Sequence, residues 1–185
     1  MGRKSYRLLR IIDVTQWQRR LFLGEGNEDT YTVKVDRGIV ELMSKLRWML
    51  DEGMTFQNAV FRTHGCSGAI WFGEDYINAE KWYTLFHYCR YERLFPFKDS
   101  KLYFEGCNVA EGAEGWRFLE AAARSLRSGG VAIGWTSLGY SAASSSVKHL
   151  WGDTRQVTFI PERGGADLYF FENGKRVDDG VNRPS

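Results

Sequence analysis

The stretch KLYFEGCNVAEG, residues 101–112, is an apolar run of strand character that stops at Glu105-Gly106 and passes into a cysteine, an asparagine and a turn of small residues. The period then changes. In AEGWRFLEAAARSLRSGG, Trp116, Leu119, Ala123 and Leu126 recur at three and four residues, which predicts a helix beginning near Ala113 and stopped by Gly129-Gly130. VAIGWT follows as another strand. Strand, turn, helix, strand is a crossover unit, and it makes the fold class legible outward in both directions.

Upstream, QNAVFRT reads as a buried strand that ends in the turn HGCSG, with AIWFG as a short strand behind it. NAEKWYTLFHYCRY then predicts a helix with Ala79, Trp82, Tyr83, Phe86 and Cys89 on its inner side, ended by Pro96 at the latest. Further back, YRLLRIIDV and TYTVKV read as strands separated by the polar loop GEGNED. Ile39, Leu42, Met43, Leu46 and Met49 mark one face of a helix that Gly53 stops. Downstream, SLGYSAASSS reads as a flexible loop, RQVTFI and DLYFF as an antiparallel finish, and VDDGVNRPS as a polar tail. The expected fold is α/β: a largely parallel central sheet with helices on both faces and an antiparallel C-terminal edge, in a single domain over 1–185.

Composition narrows the function classes. The chain is 43% hydrophobic and 26% charged, as a globular protein is, which leaves little room for long disorder. A formal charge of +2 does not imply nucleic acid; the cluster Arg3, Lys4, Arg7, Arg10, Arg19 and Arg20 is explained by a solvated tail or strand edge. Cys66, Cys89 and Cys107 are an odd set at irregular spacing, so a disulfide framework is not expected and a reducing compartment is. The start carries no signal-peptide pattern, and no run of about 18 apolar residues is present. These features predict a cytoplasmic protein without a membrane partner.

Two strand ends carry the chemistry. In an open parallel sheet, ligands bind beyond the carboxyl ends of the strands, and His64 and Cys107 both lie just past such ends, one helix apart. A thiol is mostly protonated at neutral pH, and a neighbouring imidazole that accepts or stabilises the proton turns it into a nucleophile. Gly65 and Gly106 allow close approach of a substrate, and the amides of Gly65 and Cys107 could face the oxygen that becomes negative in acyl transfer.

Each residue also has a plain reading. Cys107 could be a small buried residue and His64 a cap on a carbonyl. Cys66 is expected to project to the other side of the turn from His64, and Glu105, close to a strand end, to be solvated rather than to orient His64. His64, Cys66, His87, Cys89 and Cys107 lack the spacing of a zinc site, so no metal and no cofactor are expected. No Gly-x-Ser-x-Gly elbow accompanies Ser137, Ser141 or the serines at 144–146.

HGCSG and LYFEGCNVAEG together resemble the His-Gly-x-x-Gly and strand-then-Cys turns of the caspase-like, clan CD cysteine peptidases. The likeness is nearest to an uncharacterised bacterial caspase-like family with Gly-Cys-Asn-x-Ala-x-Gly followed by a helix, and it spans about residues 57–135. The resemblance implies a three-layer sandwich and peptide-bond hydrolysis through an acyl-enzyme, with His64 as acid/base and Cys107 as nucleophile. It also implies that Gly134, Trp135, Thr136 and Ser137 wall the pocket for the residue before the cut. Glu105-Gly106-Cys107 departs from the caspase Gln-Ala-Cys, so aspartate specificity is not inherited. A peptide or protein substrate is the expected partner, with a regulatory partner or a cut within AASSS as possible controls and an effector toxin as one biological role. The competing reading is a non-catalytic module that binds peptide or protein in the same cleft.

Overall fold

A computed structural model describes residues 4–15, 28–141, 147–149, 152–162 and 167–177. Five parallel strands form the body of the main sheet: β1 (Ser5–Asp13), β2 (Thr30–Val35), β3 (Thr55–Arg62), β7 (Lys101–Phe104) and β8 (Gly130–Trp135). Three antiparallel strands extend it: β11 (Thr154–Phe159), β12 (Leu168–Glu172) and β13 (Lys175–Val177). The order across the sheet is β13-β12-β11-β8-β7-β3-β1-β2, so the chain is mixed α/β with a parallel body and an antiparallel C-terminal edge, as its periodicity predicts. β9 (Gly139–Ser141) and β10 (Val147–His149) form a separate antiparallel pair.

Helices α1 (Ile39–Asp51), α2 (Ala79–Tyr83) and α3 (Gly112–Arg124) provide the crossovers β2 to β3, β3 to β7 and β7 to β8. All three crossovers step the same way along the sheet. Because such connections are right-handed, the three helices fall on one face, where the expectation put helices on both. Leu42, Leu46 and Met49 of α1, Trp82 of α2 and Phe118 and Leu119 of α3 form one buried cluster with Leu9, Ile11, Phe61, Phe104 and Ala132 of the sheet. Trp82 meets Phe61, Phe104 and Phe118 edge-on, an arrangement that suits aromatic quadrupoles. The β1 to β2 crossover steps the opposite way; its residues 16–27, which include most of GEGNED, Arg19 and Arg20, lie outside the described residues, as does AASSS.

Two elements differ from their expected form. The helix from Ala79 is α-helical only to Tyr83 and then widens into a π turn, Thr84–Tyr88. Leu85 and Phe86 are buried, Phe86 stacked on Trp82, whereas Tyr83, expected on the inner side, is 45% exposed and stacks on His87. HGCSG is not a simple turn. His64–Cys66 is strand β4, paired antiparallel with β5 (Ala69–Phe72), which pairs with β6 (Asp75–Asn78), a strand not foreseen. Since alternate residues of a strand share a face, Cys66 lies on the same side as His64, and the expectation of opposite sides is corrected.

Glu41 fastens the start of α1. Its carboxylate accepts from the backbone N–H groups of Asp36 (2.7 Å) and Arg37 (2.9 Å) and pairs with the Lys45 ammonium one turn on. Burial pushes this carboxyl up, but Lys45 and the two N–H groups more than offset it and hold it at about 2. A depressed carboxyl contributes stability above the usual carboxylate range and loses it as pH falls toward the folded value. Melting temperature is therefore expected to decline as pH drops from that range toward about 2. Glu41→Gln removes this part of the acid limb; an unchanged limb in circular-dichroism melts would contradict the assignment.

Candidate active site

β3 and β7 run parallel at a constant offset of 43 positions, from Asn58 opposite Lys101 to Phe61 opposite Phe104. The Glu105 N–H still donates to the Phe61 carbonyl (3.0 Å), and then the two chains leave the ladder. His64 and Cys107 keep the same offset, so each lies an equal distance beyond the last rung. Both therefore emerge at the carboxyl rim of the sheet, on adjacent strands.

Past the ladder the two loops remain in contact. A methyl group built on Gly65 would lie 2.4 Å from Val109 Cγ2, 2.7 Å from the Cys107 carbonyl oxygen and 3.1 Å from the Gly106 carbonyl carbon. One built on Gly106 would lie 3.1 Å from both N and Cα of Gly65. Only glycine lets the two backbones approach so closely. The Gly68 N–H donates to the Val109 carbonyl (3.1 Å) and Ser67 Oγ to the Glu111 carbonyl (2.6 Å). Gly68 has φ +72 and faces the Glu114 backbone, so the turn after His64 rests on the first turn of α3. His64 and Cys107 are both half-buried, and all three cysteines are thiols.

Beneath the two loops lies a buried ion pair. Arg62 Nε donates to Glu105 Oε2 at 2.6 Å, with the two side chains only 8% and 16% exposed. Glu105 is thus not solvated, contrary to expectation, because the parallel register sets it opposite the arginine two residues before His64. Burial pushes the Glu105 carboxyl up against the opposing pull of Arg62 and Arg10. Burial also lowers Arg10, Arg62 adds to that, and Glu105 opposes it. Three charges therefore share one side of the sheet under the rim.

On the far side of Cys107 runs the end of β8. Asn108 has the left-handed φ of 53 that asparagine tolerates, and its N–H donates to the Ser137 carbonyl (3.0 Å). Its side-chain amide, oriented to suit its neighbours, donates to the carbonyls of Thr136 (3.3 Å) and Ser137 (3.2 Å). The Ala110 N–H donates to the Trp135 carbonyl (3.0 Å). Gly134 and Ser137 are buried, and Thr136 exchanges bonds with the Asp153 backbone through both N–H and Oγ1. Trp135, half-buried, carries the large ring of this segment.

Several anchoring residues were not foreseen. Arg155 Nη1 donates to the carbonyls of Ala110 (2.9 Å) and Gly112 (3.1 Å), its Nε to Glu172 (2.8 Å), and its guanidinium lies 4.7 Å from the Trp116 ring centre. The antiparallel edge thereby holds the cysteine loop, and nothing in RQVTFI signals it. The Asp13 carboxylate, fully buried, accepts from Thr15 N–H (3.0 Å), Thr15 Oγ1 (2.7 Å) and Gly73 N–H (3.0 Å). An acid closing the apolar run RIID was its one visible sign.

Among the described residues no three His, Cys, Asp or Glu side chains gather as a metal site, and no helix is long and apolar enough to cross a membrane. No family model, curated protein or solved structure matches the chain.

Proposed function

We propose that this chain is a caspase-like cysteine endopeptidase with Cys107 as nucleophile and His64 as acid/base. The observation that supports the reading best is the close approach of Gly65 to Gly106 and Cys107, which sets the histidine loop directly against the cysteine loop. In the reaction, the Cys107 sulfur gives up its proton to His64 and adds to the scissile carbonyl carbon, while the amides of Gly65 and Cys107 stabilise the negative oxygen. The C–N bond then breaks, and His64 returns the proton to the departing amine. Water, deprotonated by His64, attacks the thioester; the carboxyl product leaves and the thiol re-forms. The acyl side of the substrate lies along the β8 end, which carries Trp135. No step draws on a metal or cofactor. The cytoplasm, where thiols stay reduced, suits such a nucleophile.

The test is digestion of a diverse peptide library by the full chain, read by mass spectrometry, beside Cys107→Ala and His64→Ala. Cuts are expected with the wild type and a loss of at least about a thousandfold in each variant. Iodoacetamide should alkylate Cys107 faster in the wild type than in His64→Ala. Cleavage that persists in both variants overturns the mechanism. No cleavage, combined with identical alkylation profiles, leaves a peptide-binding module as the function.

A further inference from the structure

The small sheet β4-β5-β6 turns one face to the core and one outward. Ile70, Phe72 and Ile77 are fully buried, so the residues that alternate with them point away from the core. Cross-strand pairing aligns three of these in a row: His64 opposite Trp71, and Trp71 opposite Tyr76. The Trp71 and Tyr76 rings lie 5.5 Å apart at 37°, and Tyr76 is 40% exposed. The Lys81 ammonium braces this pair, 4.4 Å from the Tyr76 ring centre and donating to the Tyr76 carbonyl (3.1 Å).

The row is held rigidly at three points. Asp13 grips Gly73 in the β5–β6 turn, Asp75 accepts from the first N–H of α1 (2.9 Å), and Ser67 and Gly68 bond to the cysteine loop. An aromatic shelf of this kind, fixed to the rim and continuous with His64, loses little entropy when it takes up a ligand.

We propose that Trp71 and Tyr76 form the subsite for the leaving-group side of the substrate and select an aromatic side chain one or two residues past the cut. The inference rests on the peptidase reading above and extends it. Direction follows from the order of elements at the rim: Cys107 is flanked by the β8 end on one side and by β4 on the other. A carbonyl at Cys107 and an amine at His64 send the chain beyond the cut over β5 and β6. Adjacent strands are about 4.8 Å apart and an extended peptide rises about 3.4 Å per residue, so the first or second residue past the cut reaches Trp71. A ring there meets two aromatic faces at stacking distance.

Two measurements test this. The Cys107→Ala chain is titrated with phenylalanyl-phenylalaninamide and with alanyl-alaninamide, following the Trp71 indole N–H by NMR, assigned with Trp71→Phe. The aromatic dipeptide should move this resonance and bind about tenfold more tightly than the alanine one, and Tyr76→Ala should remove the difference. A Trp71 resonance that stays still at saturation, or equal affinities, overturns the subsite. In the second measurement, library cuts should be enriched in Phe, Tyr or Trp one or two residues past the bond, and less so in Trp71→Ala; an even distribution overturns the selection. The titration needs no turnover. A shelf that binds in a chain that never cuts would therefore refute the peptidase reading alone, and cutting without aromatic preference would refute the shelf alone.

Discussion

Gly65→Ala is expected to lower kcat/KM on a library-derived peptide by about a hundredfold or more, because displacing reacting groups by even about 1 Å costs that much. The added methyl has nowhere to go. Val109 Cγ2, 2.4 Å away, belongs to a fully buried residue, and the Cys107 carbonyl oxygen at 2.7 Å is backbone. The cysteine loop is also bonded on its other side to Trp135 and Ser137, so relief must come from moving the histidine strand away from Cys107. Overpacking of this sort costs about 1–3 kcal/mol of stability, less than would unfold an ordinary domain. Trimming Val109 to alanine in the same chain should recover part of the melting temperature and little of the activity, since the carbonyl clash remains. Wild-type kcat/KM together with wild-type melting in Gly65→Ala would show that the two loops do not need this contact.

Arg62→Met is expected to destabilise the chain by about 3–5 kcal/mol at neutral pH, by leaving the Glu105 carboxylate buried without its bonded cation. Urea unfolding measures it. Converting both residues, Arg62→Met with Glu105→Leu, should return most of that loss, since an apolar pair of similar volume can replace a buried ion pair. The pH dependence gives the sign independently. Burial already raises Glu105, and losing Arg62 raises it further. A carboxyl raised by folding favours the folded state below its unfolded value and loses that contribution as pH rises through the folded one. The deficit of Arg62→Met should accordingly shrink as the solution is acidified toward the usual carboxylate range. A deficit independent of pH, or a double variant as unstable as the single one, would mean that the pair does not carry this energy.

Much of the architecture was legible because it depends on periodicity. The alternation in YRLLRIIDV and TYTVKV, and the three-and-four spacing of Leu42, Leu46 and Met49, record which side of each element faces apolar neighbours, a local property. The parallel body and antiparallel edge followed from whether a helix or a short turn joins successive strands. The π turn at Thr84–Tyr88 has no signature of its own in TLFHY, so the apolar spacing there extends the α-helix through it. The strand β6 was missed because DYIN has a single inward apolar residue, Ile77.

The site divides the same way. That His64 and Cys107 each follow an apolar strand is written in the chain, and so is the 43-residue interval between them. That Arg62 finds Glu105, that Gly65 lies against Gly106, and that Arg155 reaches the carbonyls of Ala110 and Gly112 depend on register and on strand neighbours distant in sequence. The elements and the residue types at their ends can be read from the chain alone, because burial and turn chemistry act over a few positions. Which ends meet emerges in the folded molecule, since contact between residues some 43 positions apart is set by strand pairing and close packing, which no local pattern encodes.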